Sequence, residues 1–438
     1  MPSVKIDGSR LACLGVEAAA SVRWALESLS AGDTPERRAA AREVMAPIWR
    51  DPARVPRLLD AWGKQMEQGE LVEARRAEDG ATEAVLVDER GRRWILRCGL
   101  EEVGSRIRTV GFSRELPPGV RIRPGDEADL EGILAVDRAC PIVRSDGTRV
   151  TIDRGARWFE WLRLQDRGSV VVAEAEGRVI ALDAGALRDV RIGGRDYVLI
   201  YRQQSRVLPE WQRLGVLMAL TAHGAALRSP FADGGTSFVD PRNDRMSSMI
   251  AHLAWSFGGF RAQLDCAALA EPPAGRVATP DDAERVAALL NEAHGRSEGF
   301  VPYTTERLAE RLGRAPASYG WRDLRLGEHA VLGVWPAMER VVVEGPAGRR
   351  ESVRALALDW GFEGPRGLDE LERLLRGACA ELVAAGASHL SVFASDATPG
   401  ASRVRELAES VATFQFTCMI AEPPGAAERG LYVDPVYF

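Results

Sequence analysis

No two cysteines of this chain stand in CxxC spacing. The six that occur, Cys13, Cys98, Cys140, Cys266, Cys379 and Cys418, are scattered through 438 residues. Dispersed thiols in a large chain read as reduced core residues, not as a disulfide framework or a zinc ribbon. No His, Cys, Asp and Glu cluster has metal-ligand spacing, so no metal is expected. Basic charge is not in excess either. A net charge of −6 and a pI near 5.7 argue against nucleic acid as a partner, which would want a basic face. No run approaches the roughly 18 apolar residues of a membrane span. The opening MPSVKIDGSRLACLG lacks a basic region followed by an apolar stretch, so no secretion signal is read there. The expectation is a cytoplasmic protein with no membrane partner.

What remains is the composition of a globular protein, with 46% hydrophobic and 27% charged residues. The length is too great for one ordinary core and suggests about two to four domains. In residues 1–116, apolar positions recur at helical spacing over 16–30, 35–50 and 53–66. Strand-like runs follow at 70–76, 81–88, 92–99 and 105–112, with DERGR as a hairpin turn between two of them. Helices followed by an antiparallel meander predict a small α+β domain, and this order resembles the NTF2-like and cystatin-like domains. LPPGV (116–120) is a linker.

Two later segments echo one another. VRIRPGDEADLEGILAVDR (120–138) and RVATPDDAERVAALLNEAH (276–294) each give a short strand, a Pro-containing turn and an amphipathic helix with an acidic start. Their starts lie 276 − 120 = 156 residues apart, the mark of a duplicated domain, and AEPPAG (270–275) joins the copies. The first copy, 118–268, has further strands at 169–175, 178–187, 196–207 and 236–240, with helices at 214–228 and 245–256. The second, 276–424, has strands at 329–335, 339–344, 351–360 and 388–394, with helices at 304–313, 368–386 and 402–411. A tail, 425–438, completes the chain as given.

The informative stretch is SRVLPEWQRLGVLMALTAHGAAL (205–227), a strand that turns into a helix. Unpaired amides at a helix start, aided by the helix dipole, form an anion cradle suited to a pyrophosphate. Gly215 would let the backbone approach it without a Cβ in the way. Val207-Leu208-Pro209 followed by Gln212-Arg213-Leu214-Gly215-Val216-Leu217 resembles the acyl-CoA signature of the GCN5-related N-acetyltransferases, a V-x-P turn leading into [QR]-x-x-G-x-[GA]. Leu217 departs from it, standing where Gly or Ala is usual. R-x-x-G-V-L also resembles the form found in the enhanced-intracellular-survival acetyltransferases. A strand, a helix and Gly259-Phe260 follow in the family's order.

The resemblance implies a fold class of α+β and α/β type, with tandem acyltransferase folds on mixed sheets behind the small first domain. It implies acetyl-CoA as co-substrate and transfer of its acyl group to the amine of a small molecule. Val207, Leu208, Gln212, Arg213, Leu214, Gly215, Val216 and Leu217 would hold the cofactor, with Asn243 on the pantetheine arm and Ser248 beside it. Amine attack on a thioester needs a neutral amine, a donor for the oxyanion and an acid for the thiolate.

The family's usual acid, a Tyr five residues before the Phe, is Trp255 here; Tyr201 on the preceding strand is the substitute candidate. Asp240 is the candidate base, competing with a capping role in DPRND, and Asp183 lies on a strand that could reach the cleft. By resemblance to the enhanced-intracellular-survival enzymes, the carboxylate of Phe438 is a further candidate base, set against a plain groove-filling role. His223 and His252 read as structural histidines.

In the second copy LDWGFEGPRGLDEL (358–371) lacks the motif, and Pro365 removes a donor, so this copy is expected not to bind CoA. Trp158, Phe159, Glu160 and Trp161 sit where the family shapes its acceptor site. Phe300, Tyr303, Tyr319 and Trp321 line a cleft or pack against a neighbour. A homo-oligomer is left open. The rival readings are a non-catalytic acyl-CoA sensor and a Fem-like aminoacyl transferase.

Overall fold

The computed structural model describes residues 4–31, 33–45, 68–77, 81–101, 106–239, 255–346 and 348–419. It also describes isolated positions between 55 and 66, and Tyr432, Asp434 and Pro435. The first elements are β1 (Val4–Lys5), α1 (Val16–Ala31), α2 (Pro35–Val44), β2 (Gly69–Arg76), β3 (Thr82–Asp88), β4 (Arg93–Leu100) and β5 (Ile107–Arg114). Helix α1 buries Ala18, Val22, Ala25, Leu26 and Leu29, the one-sided spacing read from the sequence. Helix α2 starts on Thr34, whose hydroxyl accepts the Arg37 amide at 3.3 Å, with Pro35 in the first turn. Strands β2 to β5 form the expected antiparallel meander, and β1 adds in parallel to β2. The DERGR turn works through Asp88, whose carboxylate accepts the amides of Arg90 at 3.0 Å and Arg92 at 2.9 Å and the Trp94 indole at 2.9 Å. Trp94 stacks on Phe112 with centroids 5.3 Å apart.

The chain continues with β6 (Arg121–Pro124), α3 (Leu130–Ala139), β7 (Ile142–Val143), β8 (Arg149–Asp153), α4 (Trp158–Leu164), β9 (Ser169–Ala175), β10 (Arg178–Ile192), β11 (Arg195–Val207), α5 (Val216–Arg228) and β12 (Gly234–Val239). Then come β13 (Trp255–Asp265), α6 (Cys266–Leu269), β14 (Arg276–Val277), α7 (Ala283–His294), α8 (Thr305–Gly313), β15 (Leu324–Leu326), β16 (Ala330–Gly345), β17 (Gly348–Phe362), α9 (Gly364–Ala384), β18 (His389–Ala394), α10 (Ala401–Leu407) and β19 (Ser410–Met419).

Two compact units result, neither contiguous in sequence. One comprises 1–126, 170–185 and 204–233, the other 127–169, 186–203 and 234–438, so β10 and β11 each run through both. In the first unit the segments of β11 and β10 are followed by β9 and β6, with β6 antiparallel to β9. Their core joins Val171, Ala173, Ile180 and Val207 to Val216 and Leu220 of α5. Helix α5 also lies on β5. A Cβ placed on Gly111 of β5 would stand 3.3 Å from the Ala222 carbonyl.

The second unit holds the strand order β14-β15-β16-β17-β18-β13-β19-β12-β11-β10. Two short parallel ladders in it share one design: Leu199–Tyr201 of β11 with Gly234–Thr236 of β12, and Arg354–Leu356 of β17 with His389–Ser391 of β18. Each pair is bridged by a helix, α5 or α9. The strand that follows each pair is exchanged. β13 pairs with β18, while β19, from the end of the chain, enters between β12 and β13.

Sequence periodicity misplaced a few elements. The runs 329–335 and 339–344 form one strand, β16, interrupted by a register shift after Trp335, where Pro336 cannot donate to the ladder. The helix expected to 411 stops at Leu407, and the chain turns extended from Ser410. Of the helix expected over 245–256, residues 245–254 lie outside the described ones, and Trp255 already belongs to β13.

Phe416, fully buried in β19, is the test of this exchange. Phe416→Ala is expected to cost about 3–5 kcal/mol, read from the urea midpoint at unchanged m value. An unshifted midpoint would mean that β19 does not seat in the sheet.

Candidate functional site

Strand β11 ends at Val207, which is buried, and the Leu208 amide donates to the Ile180 carbonyl at 3.0 Å. Pro209–Trp211 make one tight 3-10 turn, closed by the Trp211 amide on the Leu208 carbonyl at 2.9 Å. The Gln212 side chain reaches back and donates to the Val207 carbonyl at 3.1 Å, bracing the loop against the strand end. Arg213 then takes φ 65° and Gly215 φ 87°, and α5 begins at Val216. A non-glycine residue in the left-handed region costs energy and turns successive amides to one side. The amides of Arg213, Leu214, Gly215, Val216 and Leu217 find no hydrogen-bond partner among the described residues. Leu214 and Leu217 are each 46% exposed, so the Leu217 side chain leaves its amide open. Gly215 has a second reason to be glycine: a Cβ would meet the Cβ of Arg114 at 3.0 Å.

Behind this turn a buried ion pair fixes strand and helix. Asp183 on β10 is fully buried; it meets the Arg228 guanidinium of α5 at 3.3 Å and accepts the Ser205 hydroxyl of β11 at 2.6 Å. A Cβ on Gly224 would lie 2.5 Å from the Asp183 carboxylate, so only glycine admits the pair beneath α5. This overturns the reading of Asp183 as a group facing the cleft. Its carboxylate is committed to a structural pair, and such pairs are costly to break one-sidedly.

In the second unit, Tyr201 lies at the last step of the β11–β12 ladder, opposite Thr236. It is 3% exposed, burial pushes its phenol far above the usual range, and Arg188 and Arg154 oppose that only in part. It therefore stays protonated, a hydrogen-bond donor at every physiological pH. Gln203 exchanges hydrogen bonds with Gln165, one at 3.0 Å. Trp158, Phe159 and Trp161 are buried in packing, and Glu160 accepts the Ser318 hydroxyl at 2.8 Å. Arg154, over the Trp161 ring at 4.1 Å, joins Glu339 at 2.8 Å and Arg354 in a buried triad. Trp158, Phe159 and Trp161 are thus core, and Glu160 is half-buried.

A small, partly open cleft, whose charged walls sequence reasoning did not foresee, is lined by residues that include Phe300, Tyr303, Arg188, Arg307, Tyr432 and Asp434. The aromatic loop was its only signal. The tail segment is held there. Asp434 takes a bidentate grip from Arg311 at 2.7 and 3.1 Å, and Arg311 also binds Asp359, which accepts the Tyr319 hydroxyl at 2.7 Å. Tyr432 packs on His294 and Phe300, each 4.8 Å away between centroids, and its amide donates to the Glu298 carbonyl at 2.8 Å.

At the second strand-to-helix step, β17 stops at Phe362 and α9 opens at Gly364 with Pro365 in its first turn. The Glu363 carboxylate beside it is bound by Arg285 and His329, which pull its pKa down to about 2 and keep it negative. Asp240, Asn243, Ser248, His252 and Phe438 lie outside the described residues. Among the described residues no group of three or more His, Cys, Asp or Glu could hold a metal, and no helix is long and apolar enough to cross a membrane.

His294 generates a pH prediction. Its Nε2–H donates to the Trp360 carbonyl at 2.7 Å, its Nδ1 is buried without a partner among the described residues, and burial lowers its pKa to about 4. Between that value and the ordinary 6.5 the unfolded chain binds a proton the folded chain refuses. Stability from this group is therefore full above pH 6.5 and lost as pH falls towards 4, by about 2–3 kcal/mol. Urea midpoints taken at several pH values should show a slope in that window that shrinks in His294→Gln; an equal slope would refute the assignment.

No protein-family profile and no curated protein matches the chain. Solved structures do. N-myristoyltransferase of Saccharomyces cerevisiae with bound myristoyl-CoA is similar over 71% of this chain and 85% of that one, with a TM-score of 0.52 at 10% identity. A structure of the same enzyme with myristoyl-CoA and inhibitors gives 0.51 over 73% and 87%, at 9% identity. A GCN5-related N-acetyltransferase from Sphaerobacter thermophilus is covered to 98%, against 70% of this chain, with a TM-score of 0.42 and 17% identity. With its mixed sheets, its helix-bridged parallel pairs and the glycine turn at the first of them, the chain shares the fold of that N-myristoyltransferase.

Proposed function

We propose that this protein is an acyl-CoA-dependent N-acyltransferase that passes an acyl group, acetyl in the simplest case, to the amine of a small molecule. The observation that carries the reading is the run of partnerless amides from Arg213 to Leu217 at the mouth of α5. Residues 118–268 form the acyl-CoA-binding repeat, and 276–424 a second repeat in which Pro365 and the Glu363 charge stand at the corresponding turn.

In this reading the diphosphate of the acyl donor lies on the amides of Arg213, Leu214, Gly215, Val216 and Leu217, where the α5 dipole adds positive character. Gln212 keeps the turn in shape, and the ends of Val207 and Leu208 lead the pantetheine arm inwards. Asn243 and Ser248 are the proposed contacts of that arm. Tyr201, at the last step of the β11–β12 ladder, is the proposed donor to the reacting thioester. The amine nitrogen attacks the thioester carbonyl; a C–N bond forms, the C–S bond breaks, and one amine proton ends on the departing sulfur. A buried phenol that holds its proton acts here as a donor to developing negative charge, not as a strong acid. Asp240 is the proposed base. Positioning of the two reactants supplies much of the acceleration.

Two measurements test this. Calorimetric titration should show acetyl-CoA binding that falls about tenfold or more in Arg213→Asp, a change that suits positive φ but puts a carboxylate among the amides. Undiminished affinity would sink the cradle. With an accepted amine, Tyr201→Phe should lower kcat about 10- to 100-fold while KM for acyl-CoA stays level. An unchanged kcat would remove Tyr201 from the reaction.

A further inference from the structure

The turn at the mouth of α5 is bordered by a strand from outside the repeat. Helix α5 runs antiparallel to β5: a Cβ on Gly215 would touch Arg114, and one on Gly111 would touch Ala222. Between these points Met218 packs against the core that the meander shares with α1. Positions 215, 218 and 222 lie on one helical face, so the contact is continuous. Strand β5 thus ends where α5 opens, and its last residue, Arg114, stands at the glycine of the turn.

The Arg114 side chain follows that turn. A Cβ on Gly215 would lie 3.0 Å from the Arg114 Cβ and 3.8 Å from its Cδ, one bond short of the guanidinium. Half-buried, this guanidinium has no hydrogen-bond or ion-pair partner among the described residues. Other arginines of the meander are committed. Glu83 holds Arg75 at 2.9 Å and also Arg97, while Asp88 holds Arg92 at 2.6 Å.

Arg213, inside the turn, has no partner among the described residues either. The carboxylates beside these two arginines in sequence are engaged elsewhere, Glu115 by Arg93 at 3.3 Å and Glu210 by Arg178 at 3.4 Å. Two uncommitted guanidinium groups therefore stand at one turn, and the α5 dipole adds charge of the same sign. Like charges gathered without a counter-charge repel, and an anion between them turns that cost into attraction. A phosphate group suits a planar guanidinium best, because it can accept two parallel hydrogen bonds.

We propose that Arg114 binds the diphosphate of the acyl donor, which makes the N-terminal meander part of the acyl-CoA site. The meander carries a cation to the turn and, through Gly111 and Met218, holds α5 against it. The assignment rests on the acyl-CoA reading above and adds to it a contact from outside residues 118–268.

The test is calorimetry on the full chain with CoA and with dephospho-CoA, which lacks the ribose 3′-phosphate but keeps the diphosphate. Arg114→Met should weaken both by the same factor, about tenfold or more. Arg114→Lys, which keeps the charge but not the fork, should lose less. Urea midpoints of the free variants should match that of the parent chain; if the methionine variant does not fold, Arg114→Gln takes its place with the same expectation. Unchanged affinity overturns the proposal. So does a loss confined to CoA, which would move the contact to the 3′-phosphate, and so does a lysine variant as weak as the methionine one. Failure of the unmodified chain to bind either nucleotide refutes the acyl-CoA reading itself, whereas tight binding indifferent to Arg114 refutes only this inference.

Discussion

The molecule is organised around a parallel ladder only three residues long. Strands β11 and β12 hold together from Leu199 to Tyr201 and then part, although β11 runs six residues further. Backbone donors and acceptors cannot be left idle in a protein interior, so a sheet that opens must be repaired on its flanks. Each strand is held on its other side. β12 turns its other edge to β19, and behind β11 the Ser205 hydroxyl is drawn onto Asp183, which Arg228 of α5 neutralises. Along the chain, β11 is followed by a strand end, a glycine turn and a helix mouth in order.

Buried charge recurs wherever an element must be pinned. Asp183 with Arg228, Arg154 with Glu339 and Arg354, and Arg311 with Asp359 and Asp434 are all nearly removed from solvent. Ion pairs of this kind contribute little net stability against an apolar substitute, because desolvating both partners costs about what their attraction returns. What they supply is specificity. An Asp that must find one guanidinium leaves few alternatives for packing helix on sheet. Arg311 illustrates this, since it ties α8, β17 and the tail segment together through one planar fork.

How much of this could be read from residues alone follows from the range of each signal. The meander, the DERGR turn and the step from Val207 to Gly215 depend on neighbours along the chain, and local pattern disclosed them. The exchange of β13 and β19 depends on which edge a strand meets, and no local pattern specifies an edge. One clue existed, since Ala412, Phe414, Phe416 and Cys418 alternate with Val411, Thr413, Gln415 and Thr417 as a strand facing two ways. Asp183 misled because a carboxylate on a strand looks the same whether it faces a cleft or an arginine at the far end of a helix. The aromatic loop at Phe300 and Tyr303 allowed packing and lining equally, and the structure uses both, since Phe300 is 2% exposed and still forms part of the cleft wall.

The swapped final strand has a consequence during synthesis. When β12 leaves the ribosome its outer edge has no neighbour, and the strand that will cover it is still about 170 residues from being made, as Ser410 follows Val239 by 410 − 239 = 171 positions. At bacterial or eukaryotic elongation rates of about 5–20 residues per second that edge waits on the order of ten seconds or more. A nascent chain in that condition is a template for any extended segment nearby. Maturation of this fold is therefore tied to the synthesis of β19, and products that stop before it would be the aggregating ones.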